Sequence, residues 1–167
     1  AKVGLDNIAL VKPIDFNGDR MLDVADVNLM LQEITSGGNS DEFDLNEDKL
    51  VNRLDLDLLV TSPENFNTYI GDADLSGEFG TTDLVAVFAA GEYEDETMMN
   101  STWETGDWNG DAEFGTGDLV AAFEDGGFER GPRPASPSVP EPTTGFLSGV
   151  ILLLLGTRRR LFSTPTS

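Results

Sequence analysis

Four segments of the chain carry side-chain oxygens at one repeated spacing, and this spacing limits the possible folds more than any other feature. Each segment has an aspartate, asparagine or serine at its positions 1, 3, 5 and 12, and the segments begin at Asp15, Asp44, Asp72 and Asp107. Apolar residues follow position 12 one and then four or five steps on, which is helical spacing. Each segment therefore predicts an oxygen-rich loop that leads into a helix.

The last two segments are copies of one another. The sequence GDADLSGEFGTTDLVAVFAAGEYE begins at Gly71, and GDWNGDAEFGTGDLVAAFEDGGFE begins at Gly106. The copies share the run EFGT, the position-12 aspartate and the aromatic pair Phe88 and Phe123. A disordered acidic chain has no reason to repeat its aromatic residues in register. With the looser pair of segments before it, the duplication predicts two modules of two loops each, at 12–68 and 69–129.

Charge and composition restrict the chemistry of these loops. The 167 residues include 31 Asp and Glu against 10 Lys and Arg, a formal charge of −21, and they include neither His nor Cys. The charge excludes a nucleic-acid partner, which it would repel, and favours cations. The missing residue types exclude zinc sites, disulfides and His-based catalytic triads. Close carboxylates such as Asp72 and Asp74 could act as glycosidase acids, but their place inside the loops favours metal ligation, so we predict no enzyme activity.

Oxygen ligands at these positions are those of a twelve-residue calcium loop. In such a loop position 7 adds a backbone carbonyl, position 9 often acts through water, and position 12 closes the coordination sphere. Six or more oxygens from a flexible loop suit Ca²⁺ better than Mg²⁺. The predicted metal residues are Asp15, Asn17, Asp19, Asp23, Asp26, Asp44, Asn46, Asp48, Asn52, Asp55, Asp72, Asp74, Ser76, Glu78, Asp83, Asp107, Asn109, Asp111, Glu113 and Asp118.

Two other loop positions give structural predictions. Position 8 is apolar in all four loops and is predicted to pack inward; its residues are Leu22, Val51, Phe79 and Phe114. Position 6 usually needs glycine for a left-handed turn. Only Gly77 meets this requirement, so the other three loops are predicted to carry backbone strain at Arg20, Lys49 and Ala112.

An aspartate at position 12, with a helix only after the loop, resembles the type I dockerin repeats. The resemblance covers about 12–127 and is specific in the loops. It implies a mainly α fold of small, paired calcium loop–helix modules of the dockerin or EF-hand-like kind. It also implies a cohesin-like protein as partner, recognised through loop positions 10 and 11. The residues there that match the usual hydroxyl-bearing surface are Thr81, Thr82 and Thr116.

The C-terminal part has a different character. Five of the eight prolines lie in RGPRPASPSVPEP, which predicts a flexible linker at 130–142. An apolar helix with a basic cluster is predicted at 143–160, with membrane contact at 146–155, and a polar tail at 161–167. The order of these features resembles the bacterial PEP-CTERM sorting signal. That resemblance implies recognition of Pro140, Glu141 and Pro142 by an exosortase-like enzyme, transient membrane anchoring, and a final place at the cell surface or in the extracellular matrix.

The remaining regions leave alternatives open. Residues 1–11 alternate like a strand, which is either the end of a preceding domain or a lone strand. The aromatic residues Trp103, Trp108, Tyr69 and Tyr93 are predicted to be core or partner-facing rather than sugar-binding.

Two functions compete. One is a non-catalytic, calcium-stabilised C-terminal region that docks or attaches a secreted protein at the envelope. The other is an accessory region of an extracellular polysaccharide-degrading enzyme whose catalytic domain lies upstream.

Overall fold

The computed structural model describes residues 13–135, and this part of the chain is mainly helical, which confirms the predicted fold class at that level. It contains four α-helices and one 3-10 helix, and no β-strand lies within it. The α-helices are α1 (Val24–Ser36), α2 (Arg53–Thr61), α3 (Thr81–Ala90) and α4 (Thr116–Asp125), and the 3-10 helix is Trp103–Thr105. The predicted N-terminal strand and the predicted sorting segment lie outside the described residues.

Each α-helix begins at position 10 of its loop, so the position-12 aspartate lies in the first helical turn. In α1 and α2 the side chain at position 9 caps the helix. The side chains of Asp23 and Asn52 accept the N–H of Ala25 and Leu54, at 2.9 and 2.8 Å. In α3 and α4 position 9 is glycine, Gly80 or Gly115, which supplies no side-chain cap. These two helices therefore need another partner for their first N–H groups.

Three helices end at a glycine in the left-handed conformation, which terminates a helix at little steric cost. The glycines are Gly37, Gly91 and Gly126, with φ of 71°, 82° and 75°. Helix α2 instead stops at Ser62, which is extended, and Pro63 follows it. A residue before proline is disfavoured in the helical conformation.

The core of the described region has an aliphatic part and an aromatic part. In the aliphatic part α1 packs on α2 through fully buried side chains such as Met30 and Leu59. In the aromatic part Trp108 lies 5.9 Å, between ring centroids, from both Phe79 and Phe114. The two phenylalanines occupy position 8 of their loops, so they connect each loop directly to the core.

Trp103 links the two predicted modules. It is fully buried, and its indole N–H donates to the Asp72 carbonyl at 2.8 Å. Its backbone N–H donates to the Asn28 side chain of α1 at 3.0 Å. Trp108 is also fully buried and Tyr69 nearly so, which confirms the prediction of core roles for these rings. Residues 13–135 belong to one compact unit, while the predicted module boundary at 68/69 stays a prediction.

Contacts continue beyond the predicted module end at residue 129. Arg133 forms an ion pair with Asp125, and its guanidinium carbon lies 4.3 Å from the centroid of the Tyr69 ring. Its backbone N–H donates to the Gly77 carbonyl at 3.3 Å. The first residues of the predicted linker therefore pack against the second module.

Candidate metal centres

In every loop the aspartate at position 1 accepts backbone N–H groups of the same loop. Asp15 accepts from Asp19 at 3.1 Å and from Arg20 at 2.9 Å, which are positions 5 and 6. The same pair of bonds recurs at Asp44, Asp72 and Asp107. These bonds wind the backbone around the first carboxylate and bring positions 3 and 5 to the same side.

The position-12 aspartate closes each loop. Its first oxygen accepts the N–H of position 2, at 2.8 Å for Asp26 and Asp55, 3.0 Å for Asp83 and 2.9 Å for Asp118. Its second oxygen accepts the N–H of position 9 at 2.9–3.1 Å in the four loops. All four carboxylates are at most 5% exposed. Position 12 thus ties the start of the loop to the start of the helix.

The loop backbones have the left-handed residues that the sequence predicts. Arg20, Lys49 and Ala112 at position 6 have φ of 72°, 73° and 65°, which confirms the predicted strain. Position 4 is also left-handed in all four loops, including the non-glycine residues Glu47 and Leu75, with φ of 64° and 55°. Such conformations persist only where surrounding bonds hold them.

Carboxylate oxygens converge most closely in the third and fourth loops. The described residues contain two groups of three acidic side chains whose oxygens all lie within 4.8 Å of one another. The groups are Asp72, Asp74 and Asp83 in the third loop, and Asp107, Asp111 and Asp118 in the fourth. The equivalent carboxylates of loops one and two do not meet this distance within the described region, although their hydrogen-bond pattern is the same.

Burial disfavours the ionised form of three acids in these groups. Desolvation raises the pKa of Asp72 and of Asp107 to about 6, although both carboxylates accept backbone N–H bonds, which lower the pKa. Desolvation also raises the pKa of Asp118, and the nearby charge of Asp111 adds to the effect. A cation among the oxygens would favour the ionised form of each acid. The donor set is entirely oxygen, so it fits a hard cation.

The predicted ligands at positions 3 and 5 are hydrogen-bonded within their own loops. At position 3, the side-chain oxygens of Asn17 and Asn46 each accept the position-5 N–H at 2.8 Å. In loops one, two and four the position-3 amide group donates to the position-5 carboxylate at 3.0–3.1 Å; the pairs are Asn17 with Asp19, Asn46 with Asp48, and Asn109 with Asp111. The Ser76 hydroxyl donates to Asp72 at 3.3 Å.

Positions 7 and 9 contribute less through their side chains. Glu78 is exposed, and the Glu113 carboxylate accepts the Met99 N–H at 2.6 Å; neither belongs to the convergent groups. The oxygens of Asp23 and Asn52 are used as helix caps.

The prediction for position 8 is wrong in one loop. Val51, Phe79 and Phe114 are buried, but Leu22 is 53% exposed. The buried residues have partners outside their own loop: the Val51 N–H donates to Asn39 at 2.8 Å, and the Phe79 and Phe114 carbonyls accept from Glu129 and Glu94. No such backbone bond to Leu22 is present in the described region.

Sequence reasoning missed two residues that hold the third and fourth loops. We call 92–94 and 127–129 the straps, since each follows one helix and crosses to the loop of the other repeat. The Glu129 N–H donates to the Phe79 carbonyl, and the Glu94 N–H donates to the Phe114 carbonyl, both at 2.8 Å. The signal was present in the sequence, because Glu94 and Glu129 occupy equivalent places in the duplication.

The residues implied by the dockerin resemblance lie at the starts of α3 and α4. Thr81, Thr82 and Thr116 are exposed there, and the hydroxyls of Thr81 and Thr116 are bonded to Glu129 and Glu94. Pro140, Glu141, Pro142 and 146–155 lie outside the described residues. Within residues 13–135, no helix has the length and apolar character needed to cross a bilayer.

Comparison of the chain with protein-family models, curated proteins and solved structures gave no match. The class that the described geometry defines is therefore stated from its own residues: a mainly helical region with two buried acidic groups able to hold a metal ion.

Proposed function

We propose that this region is a non-catalytic, dockerin-like calcium module that docks or attaches a secreted bacterial protein at the cell envelope. The observation that carries the proposal is the repeated loop. Four segments separated in sequence hold positions 1 and 12 by the same backbone bonds, and two of them gather three carboxylates within 4.8 Å.

Calcium is the ion that this arrangement favours. All the candidate ligands are oxygens, and the loops supply them from side chains and a carbonyl on one continuous segment. Buried carboxylates with raised pKa values oppose folding at neutral pH unless a cation neutralises them. Cation binding and folding are then coupled, because the unfolded chain has no preformed site.

The exposed faces of α3 and α4 support a docking role. Both helices present a valine and a phenylalanine to solvent at equivalent positions of the duplication: Val85 and Phe88 on α3, Val120 and Phe123 on α4, between 46% and 63% exposed. With Thr81, Thr82 and Thr116 nearby, this surface suits a cohesin-like protein. Sorting by an exosortase-like enzyme at Pro140, Glu141 and Pro142 would then place the docked assembly outside the cell.

Calorimetric titration of the chelator-treated full chain tests the proposal. We expect at least two Ca²⁺ per chain, in the third and fourth loops, with Mg²⁺ bound more weakly, and a gain of helical circular dichroism on binding. Replacing both Asp83 and Asp118 by asparagine should abolish these two sites. The control Glu96→Gln, which removes an exposed acidic group outside the loops, should keep them. Absence of Ca²⁺ uptake at millimolar concentration would refute the proposal.

A further inference from the structure

The two straps bond reciprocally to the opposite repeat. After α4, the chain brings Glu129 to the third loop, where its carboxylate accepts the Thr81 N–H at 2.9 Å and the Thr81 hydroxyl at 2.7 Å. After α3, the chain brings Glu94 to the fourth loop, where its carboxylate accepts the Thr116 hydroxyl at 2.8 Å. Each strap carboxylate thus lies at the start of a helix that belongs to the other repeat.

At α3 the Glu129 carboxylate supplies the N–H acceptor that the helix lacks, whereas at α4 the Glu94 carboxylate bonds only the Thr116 hydroxyl. Position 9 of loops three and four is glycine, so α3 and α4 begin without a side-chain cap of their own. In loops one and two the position-9 side chains of Asp23 and Asn52 supply that cap. The strap carboxylates also place negative charge at a helix N-terminus, which is favourable.

The straps fix the segment of each loop that carries its last ligands. In the third loop, the Phe79 carbonyl and the Thr81 N–H are both bonded to Glu129, and these atoms lie between the position-7 carbonyl and the Asp83 carboxylate. Both strap glutamates have a left-handed backbone, with φ of 47° at Glu94 and 56° at Glu129. In this conformation each glutamate bonds to the opposite repeat through both its N–H and its carboxylate.

We propose that Glu94 and Glu129 are positioning residues for the metal loop of the opposite repeat, and that through them loops three and four bind cation cooperatively. This inference rests on the proposed calcium function. Helix α4 joins the fourth loop to the strap that carries Glu129, so a fourth loop held by a cation would keep that strap in place, and Glu129 would then hold the third loop in its binding conformation. The reverse path runs through α3 and Glu94.

The test is a Ca²⁺ titration of the full chain followed by NMR of two glycine amides, Gly77 in loop three and Gly110 in loop four. Each donates to the first aspartate of its loop, so each reports its own site. The variants are Glu129→Asn and Glu94→Asn, because asparagine tolerates a left-handed backbone but is too short to reach the threonine. Glu47→Asn is the control, an exposed glutamate with φ of 64° in loop two.

We expect Glu129→Asn to raise the Ca²⁺ midpoint at Gly77 by about three- to tenfold, the usual effect of losing a helix cap, and to raise the midpoint at Gly110 less. Glu94→Asn should act mainly on Gly110 and more weakly, because Glu94 holds only a hydroxyl. Wild-type titration should be steeper than independent binding, and the double variant should lose that steepness.

The outcomes separate the two proposals. If the wild-type chain shows no Ca²⁺-dependent shift at either glycine, the proposed function fails. If the wild type titrates but Glu129→Asn leaves both midpoints within twofold, or changes both as Glu47→Asn does, the strap inference alone fails. Should Glu129→Asn not fold, Glu129→Met keeps a similar side-chain length and removes the acceptor for both Thr81 bonds; an unchanged Gly77 midpoint in that variant overturns the inference.

Discussion

The substitution Gly106→Ala tests the close approach of loop and core. Gly106 precedes position 1 of the fourth loop, and its backbone has φ of 120°. A Cβ atom there would lie 2.4 Å from the Phe114 ring, whose side chain is 1% exposed and packed against Trp108. The ring therefore has little freedom to move aside. Gly71 and Phe79 have the same relation in the third loop, with a nearest distance of 2.7 Å.

Two terms add in this variant. Forcing alanine into a backbone region that glycine favours costs about 1–3 kcal/mol. Overpacking a rigid aromatic core costs about 1–3 kcal/mol more. We expect a loss of about 2–6 kcal/mol in the free energy of unfolding, large against the total stability of a small domain.

Urea denaturation of the full chain at saturating Ca²⁺ measures this loss through the fluorescence of the buried residues Trp103 and Trp108. Gly91→Ala is the matched control, because Gly91 also has positive φ, 82°, but nothing lies within 4 Å of its Cβ position. The control should lose only the conformational part, about 1–2 kcal/mol. If Gly106→Ala loses no more than Gly91→Ala, the steric argument is wrong.

Three other predictions concern charge. Because burial raises the pKa of Asp72 and Asp107 to about 6, these two groups should make the cation-free chain lose stability as pH rises from about 4 through 6, whereas the Ca²⁺-bound chain should show the opposite trend; thermal melts at both conditions check this. Asp55→Asn leaves a buried amide facing three backbone N–H donors and should cost about 1–3 kcal/mol, measured by urea denaturation; an unchanged midpoint would contradict it. Arg133→Gln, which removes an ion pair and a ring contact, should cost about 1 kcal/mol in the same assay, and no loss would show that these contacts add no stability.

Local features of this region were readable from the sequence. The loop positions and the helices after them depend on residues within about fifteen positions of one another, so spacing alone predicts them. The left-handed residues at Arg20, Lys49 and Ala112 follow from the same loop pattern. The start of each helix at position 10 was harder to predict from the sequence. It depends on whether position 9 caps the helix or, like Gly80, leaves the cap to another segment.

Contacts between segments far apart in the chain could not be predicted from the sequence. Glu129 bonds to Thr81 across 48 residues, and Trp103 bonds to Asp72 across 31, so neither contact follows from local periodicity. The loop pattern states which residue types a calcium loop needs, but not which residues outside the loop pack against it.

The crossed straps limit how this region can be cut into fragments. A fragment that ends after α3 lacks Glu129, and one that begins at the fourth loop lacks Glu94, so each half is missing the residue that completes its own helix start. Chimeras and truncations should therefore keep the third and fourth loops together, with both straps. The duplicated sequence looks like two interchangeable copies, yet structurally it is a single indivisible pair.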